Sequence, residues 1–152
     1  MTQLNVSREV EASADAVWRV VTDLDNSPQV ISAIGRIERL DGRDGFGVGT
    51  RWRETRQMFG KEATEEMEVT GVEPGRSYTV EADSRGAHYT STITVDSLGE
   101  HRSRLSMTFA GEPKGLVSKL AAATIGKLFE GATRKALRSD LDDIAGAAEQ
   151  RG

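Results

Sequence analysis

Apolar and polar residues alternate along much of the chain, whereas the last third follows a helical spacing. Between Pro113 and Ala148 apolar residues recur every three or four positions, with no further proline. This spacing predicts one amphipathic helix of roughly 30 residues, about 45 Å long at 1.5 Å per residue. Because such a helix is long for a chain of 152 residues, the preceding residues must supply the surface on which it lies.

Two glycines, Gly126 and Gly131, interrupt this helical pattern. Each costs about 1 kcal/mol relative to alanine inside a helix. Two explanations remain open: a kink or close helix–sheet contact, or small residues that leave room for a molecule held between helix and sheet. In the second case Ile125, Gly126 and Phe129 form the helical wall of a pocket.

The N-terminal residues predict a strand followed by two short helices. Residues 4–10 alternate between apolar and polar, with Arg8 on the apolar side. Ser13 then has the position of a helix N-cap. Pro28 breaks the first helix and can open a second one that continues to about Ala33.

Recurrent turn signals divide the middle of the chain into six further strands. Glycine-containing pairs such as Asp41-Gly42, Pro74-Gly75 and Leu98-Gly99 separate segments of strand character. Short connections predict an antiparallel meander within a single domain, residues 1–152. The expected strands span residues 35–41, 50–58, 62–72, 76–84, 87–97 and 102–110.

Alternation within these strands assigns side chains to an inner face, toward the long helix, or to an outer face. The inner face is predicted to carry polar as well as apolar groups: Trp52, Glu54, Arg56, Glu65, Met67, Tyr78 and Tyr89. Arg53 and Thr55 fall on the outer face. Charged residues are seldom fully buried unless paired. The inner polar groups therefore either reach water at strand ends or line a partly hydrated pocket.

A two-residue turn at Gly60-Lys61 predicts the register of the hairpin that carries most of these residues. This register pairs Arg56 with Glu65, Glu54 with Met67, Trp52 with Val69 and, on the outer face, Arg53 with Glu68. Opposite charges directly across an antiparallel pair stabilise each other. We therefore expect an Arg56–Glu65 pair, which Arg8 and Glu54 can join.

The order of elements and several short motifs resemble a known superfamily. One strand, two short helices, six strands and a long helix is the order of the helix-grip fold, an α+β architecture. The segment Val10-Glu11-Ala12-Ser13-Ala14-Asp15-Ala16-Val17-Trp18 resembles the opening of the START-like, polyketide cyclase/dehydrase (SRPBCC) superfamily. Val48-Gly49-Thr50-Arg51-Trp52 and Val72-Glu73-Pro74 are also similar to it. The resemblance implies a curved sheet that wraps around the helix and encloses a cavity for apolar ligands.

Composition and motifs exclude several other classes of chemistry. The net charge of −4 gives no general attraction to nucleic acid. The chain has no cysteine, and its two histidines, His88 and His101, have no metal-ligand spacing, so no metal or cofactor is expected. No apolar run reaches the length of a membrane span, and no signal peptide is recognised, which predicts a cytoplasmic protein. The 45–49 glycine-rich segment precedes a strand, so we expect an entrance loop there and not a phosphate site.

Two functions of different class remain. The first is the binding or transport of a small hydrophobic or amphipathic molecule, lipid- or polyketide-like, in an internal cavity. The alternative is a polyketide cyclase, aromatase or dehydratase, in which Arg56, Glu54 or a tyrosine would move protons. The catalytic residues, the ligand and the choice between monomer and homodimer stay open at this stage.

Overall fold

A seven-stranded antiparallel sheet and a long C-terminal helix dominate the computed structural model. It describes residues 2–42, 44–58, 60–84, 86–113 and 116–151, except for the side chains of residues 2, 58, 84, 113, 116–129 and 151. The strands are β1 (Thr2–Val10), β2 (Ile34–Arg39), β3 (Arg51–Met58), β4 (Lys61–Glu73), β5 (Ser77–Ser84), β6 (Ala87–Gly99) and β7 (Arg102–Pro113). The helices are α1 (Ala14–Thr22), α2 (Ser27–Val30) and α3 (Leu116–Arg151), with a 3₁₀ turn at Leu24–Asn26. This is the predicted helix-grip architecture.

Strands β2 to β7 form an antiparallel meander, and the first strand, β1, pairs with β7 at the end of the sheet. The strand order is β1-β7-β6-β5-β4-β3-β2, and every neighbouring pair is antiparallel. Strands β1 and β2 form the two edges. The helices α1 and α2 occupy the connection between them, so they cover the inner face at one end of the curved sheet.

The helix boundaries follow local chemistry. Ser13 caps α1 as predicted, since the backbone N–H of Ala16 donates to its Oγ at 3.1 Å. Helix α2 ends at Val30, before the expected Ala33, because Ile31 is already extended. Strand β7 continues to Pro113, so α3 begins at Leu116 and not at the proline.

The predicted register of the β3–β4 hairpin is wrong by two residues. Trp52 lies opposite Met67, Glu54 opposite Glu65, Arg53 opposite Glu66 and Arg56 opposite Ala63. Strand β4 already begins at Lys61, which pairs with Met58, so the turn comes one position earlier than expected. A shift of two residues keeps every side chain on its face, and the predicted inner and outer faces of β3 are therefore retained.

The buried apolar residues form two clusters. The first joins β1, α1, β6 and β7 to the C-terminal half of α3, through Leu141, Ile144, Ala145 and Ala148. The second surrounds Trp52, Val69, Val80 and Leu24, and no described residue of α3 belongs to it. Tyr78 packs against both. The C-terminal half of the helix is thus held by the first cluster, while the inner face around Trp52 is a separate apolar surface.

Candidate functional site

A buried polar cluster crosses from strand β3 to helix α3 at the border of the second apolar cluster. Alternation along β3 directs Trp52, Glu54 and Arg56 inward, and Asp140 meets them from α3. The side chains of Glu54, Asp140 and Arg56 are only 8%, 5% and 17% exposed. Arg53, on the outer face, instead pairs with Glu38 and Glu66.

Three hydrogen bonds join the side chains of this cluster. The indole Nε1 of Trp52 donates to Oε1 of Glu54 at 3.2 Å. Arg56 donates from Nε to Oε2 of Glu54 at 3.1 Å and from NH1 to Oδ2 of Asp140 at 3.1 Å. The guanidinium therefore bridges two carboxylates, one on the sheet and one on the helix.

The electrostatics of the cluster differ between its members. Burial alone would lower the pKa of Arg56, but Asp140 and Glu54 together raise it above its usual range. Burial also raises the pKa of Asp140, and Glu54 adds to this increase while Arg56 opposes it. Arg56 is thus a permanent cation, whereas Asp140 is more readily protonated than an aspartate in water.

The partner expected for Arg56 is corrected by this geometry. Glu65 is not directly across from Arg56, because the register sets it opposite Glu54. Glu54 joins Arg56 as expected, whereas Arg8 pairs with Asp142 of α3 at 2.8 Å. Asp140 is the partner that the sequence prediction missed. It lies three residues after Leu137 and four before Ile144, on the apolar stripe of the helix. A carboxylate in that position could have indicated from the sequence that it has a buried partner.

Tyr78 connects the sheet to the first helix and to the 44–47 segment. Its hydroxyl donates to the carbonyl oxygen of Val21 at 3.2 Å. Its ring makes edge-on contacts with Trp18 and Phe46, at centroid distances of 6.1 and 4.7 Å. Burial, followed by the charge of Glu54, raises the pKa of Tyr78. The tyrosine is consequently a neutral hydrogen-bond donor at ordinary pH.

The remaining predicted site residues divide into two groups. Met67 packs against the second cluster, Glu65 is half-buried, and Tyr89 stacks on Phe109 at 5.4 Å. The side chains of Ile125 and Phe129, and the surroundings of Gly126, lie outside the described residues, so their role stays a prediction.

The two explanations for the helical glycines can be examined at Gly131. This residue is exposed, and a Cβ built on it would meet no atom within 4 Å. Close helix–sheet contact is therefore wrong for Gly131. A space between helix and sheet does not account for it either.

A cleft of about 490 Å³ opens between the C-terminal end of α1 and the 44–47 segment. Trp18, Leu24, Phe46 and Val72 contribute apolar walls, and Arg39 a polar one. Arg39 donates to the carbonyl of Gly45 at 2.9 Å and to both carboxylate oxygens of Asp25. It therefore links the 44–47 segment to the 3₁₀ turn that follows α1. The cleft adjoins the loop that was expected to form an entrance. The main cavity was expected beneath α3 and stays a prediction.

Comparisons with known proteins identify the family. A family model described as polyketide cyclase/dehydrase and lipid transport matches residues 1–149. The chain belongs to this family. No curated protein matches it by sequence.

Several solved structures share the fold of this polyketide cyclase/dehydrase family member, and their names indicate different activities. The Zhui aromatase/cyclase from Streptomyces sp. R1128 is 20% identical, with a TM-score of 0.81 over 99% of this chain and 94% of that one. Norcoclaurine synthase from Thalictrum flavum, in complex with dopamine and hydroxybenzaldehyde, is 17% identical with a TM-score of 0.74, over 99% and 88%. A START superfamily protein from Mycobacterium smegmatis is 18% identical with a TM-score of 0.70, over 98% and 95%. At these identities the likeness establishes the fold.

The described part of this family member lacks two features, a metal-binding cluster and a membrane-spanning helix. No cluster of three histidine, aspartate or glutamate side chains suited to a metal ion occurs among the described residues. Nor does any described helix have the length and apolarity needed to cross a membrane.

His88 lies on the outer face of the sheet, where its imidazole is partly exposed and contacts two carboxylates. Its two ring nitrogens contact Asp83 at 2.7 Å and Glu81 at 2.8 Å. These hydrogen bonds raise the pKa of His88, and the bond to Asp83 has the larger effect. The antiparallel β5–β6 pairing, which sets His88 opposite Asp83, brings these groups together.

Proposed function

We propose that this protein binds or carries a small hydrophobic or amphipathic molecule between the inner face of the sheet and the N-terminal half of α3. One observation carries the proposal: the Glu54–Arg56–Asp140 cluster borders an apolar surface around Trp52 to which no described residue of α3 contributes. A mostly apolar pocket with a few fixed polar groups is the usual form of a small-molecule site. The family description, which includes lipid transport, supports the same class of ligand.

The polar cluster is better suited to holding a ligand than to transferring protons. Arg56 is bonded to both carboxylates, and Trp52 donates to Glu54 as well. Charge-assisted hydrogen bonds of this kind hold the three side chains in fixed positions. They can orient one polar end of a ligand while the surrounding apolar side chains bind its body.

The second candidate is a cyclase, aromatase or dehydratase, and one observation favours it. The raised pKa of Asp140 gives the cluster a carboxyl group that can hold a proton nearer to neutral pH. Besides burial, the charge of Glu54 raises the pKa of the Tyr78 hydroxyl, so a tyrosine is close enough to take part. The aromatase/cyclase and norcoclaurine synthase with the same fold support this alternative only at the level of architecture.

Native mass spectrometry of the freshly purified protein discriminates between the two. A carrier is expected to retain a co-purifying lipid-like molecule, seen as a defined added mass that denaturation removes. An enzyme is expected to be empty and to dehydrate or cyclise a poly-β-ketone analogue. A protein that is empty and inert toward the analogue would contradict both candidates.

A pair of glycine substitutions tests the position of the proposed cavity. Gly126→Leu is expected to abolish uptake of an apolar fluorescent probe, because the leucine side chain would occupy the proposed cavity. Gly131→Leu is the matched control, since that position is exposed and open. Equal probe affinity in the two variants and the parent would remove the basis for a cavity beneath α3.

The cellular setting follows the same proposal. We expect the carrier to act in the cytoplasm on a small hydrophobic molecule, without nucleic acid and without stable insertion into a membrane. Its net charge of −4 is consistent with that expectation. Light scattering coupled to size-exclusion chromatography would distinguish a monomer from a homodimer.

A further inference from the structure

One buried hydroxyl on α3 has no hydrogen-bond partner among the residues that the structure describes. Thr133 is 5% exposed, and its Oγ1 makes no hydrogen bond to any residue that the structure describes. A threonine inside a helix can usually donate to the carbonyl four residues earlier, and this one does not. Buried polar groups are nearly always paired, so an exception of this kind requires an explanation.

Packing alone does not explain a threonine at this position. Valine has almost the same shape and leaves no polar atom to be desolvated, so it would fit the same space at lower cost. A buried hydroxyl that no group satisfies would therefore cost stability relative to valine. Such features persist where function requires them.

The position of Thr133 relates it to the polar cluster described above. It precedes Asp140 by seven residues, which is about two helical turns and roughly 10 Å along the same side of α3. Asp140 faces strand β3, because its carboxylate accepts from Arg56. Thr133 therefore lies on the sheet-facing side, displaced toward the N-terminal half of the helix, where the proposed ligand would lie.

The charges nearby limit what that ligand can be. The described groups that pair with Arg56 are both carboxylates, Glu54 and Asp140, so the one cation of the cluster is already shared between two acidic side chains. A carboxylate-headed ligand would add a further negative charge to a region of low dielectric, which is unfavourable. A neutral oxygen, by contrast, can form one hydrogen bond with a threonine hydroxyl without bringing a further charge into this region.

We propose that Thr133 is a specificity-determining residue that hydrogen-bonds a neutral oxygen, a hydroxyl or carbonyl, of an amphipathic ligand. The ligand class is thus an oxygenated apolar molecule and not a fatty-acid anion. This inference rests on the proposed binding function and deepens it.

Three probes that share one apolar body test the inference by fluorescence titration: 1-pyrenebutanol, 1-butylpyrene and 1-pyrenebutyrate. The parent protein is expected to bind the alcohol roughly two- to tenfold more tightly than the hydrocarbon, which is the effect of one hydrogen bond. The acid is expected to bind more weakly than the alcohol. Thr133→Val should remove the preference for the alcohol, and Thr133→Ser, which keeps the hydroxyl, should retain it.

Each other outcome contradicts a definite statement. If the probes bind but Thr133→Val keeps the preference for the alcohol, the role of Thr133 is wrong while the binding function stands. If the acid binds most tightly, the neutral ligand class is wrong. If no probe binds the parent protein, the proposed function fails, and this inference fails with it.

Thermal unfolding provides a second readout that does not depend on any probe. Thr133→Val should unfold at the same temperature as the parent or a higher one, since it removes a buried hydroxyl that lacks a partner. A lower melting temperature would mean that the hydroxyl has a structural partner, such as a bound water, in the ligand-free protein. That result would overturn the proposal.

Discussion

Arg56 on strand β3 and Asp140 on helix α3 are 84 residues apart in the sequence, and their side chains meet at 3.1 Å. Both are largely buried, and Glu54 completes the cluster on the strand side. The pair is a polar link between the inner face of the sheet and the helix.

Arg56→Met is expected to destabilise the fold by about 3–5 kcal/mol, because it leaves Glu54 and Asp140 buried without their cation. Chemical denaturation followed by circular dichroism would measure the change. Arg53→Met is the matched control on the outer face of the same strand, where both partners are accessible to water, and its effect should be small. An unchanged midpoint for Arg56→Met would mean that the cluster is solvated.

Asp140 is expected to make stability depend on pH. Its pKa is raised in the folded protein, so the folded state binds its proton more tightly than the unfolded state does. Its contribution to the free energy of unfolding is therefore fully present below the usual aspartate pKa. That contribution is lost as the pH rises through the raised value.

The comparison with Asp140→Asn isolates this contribution, since asparagine does not titrate. The difference in free energy of unfolding, parent minus variant, should fall as the pH is raised from about 4 toward neutrality. The sign follows from the raised pKa and proton linkage. A difference that rises over this range would show that Arg56 outweighs burial and that the pKa of Asp140 is lowered.

Tyr78→Phe is expected to cost about 1 kcal/mol of stability, the net value of one hydrogen bond. The lost bond joins the tyrosine hydroxyl to the carbonyl of Val21, one of the last carbonyls of α1. The phenyl ring should keep the edge-on contacts with Trp18 and Phe46, so the tryptophan bands of the near-ultraviolet circular dichroism spectrum should change little, while the tyrosine signal is lost. An unchanged unfolding midpoint would indicate that water replaces the hydroxyl.

Gly131→Ala is expected to stabilise the protein by about 0.5–1 kcal/mol, because it improves helix propensity and restricts the unfolded chain. The added methyl group would meet no atom within 4 Å. Gly146→Ala offers a parallel measurement, as that position is also open. A loss of stability at Gly131 would show that the added methyl group is not accommodated there and would contradict the prediction.

Local sequence features determined most of the architecture. Alternation fixed which side chains of β3 face inward, because the side-chain period of a strand is two and does not depend on the partner strand. Ser13 was recognisable as an N-cap since its hydroxyl satisfies a backbone donor only three residues away. The long helix was recognisable from its apolar spacing.

Tertiary structure alone decided which groups meet at the site. The register of β3 and β4 depends on a one-residue choice of turn, and a two-residue shift leaves the pattern of faces unchanged, so alternation could not reveal it. The pairing of Arg56 with Asp140 joins elements far apart in the chain and depends on how α3 crosses the sheet. The missing partner of Thr133 is likewise a property of the packed interior, because hydrogen bonding at a buried atom is set by every neighbour that the fold assembles around it.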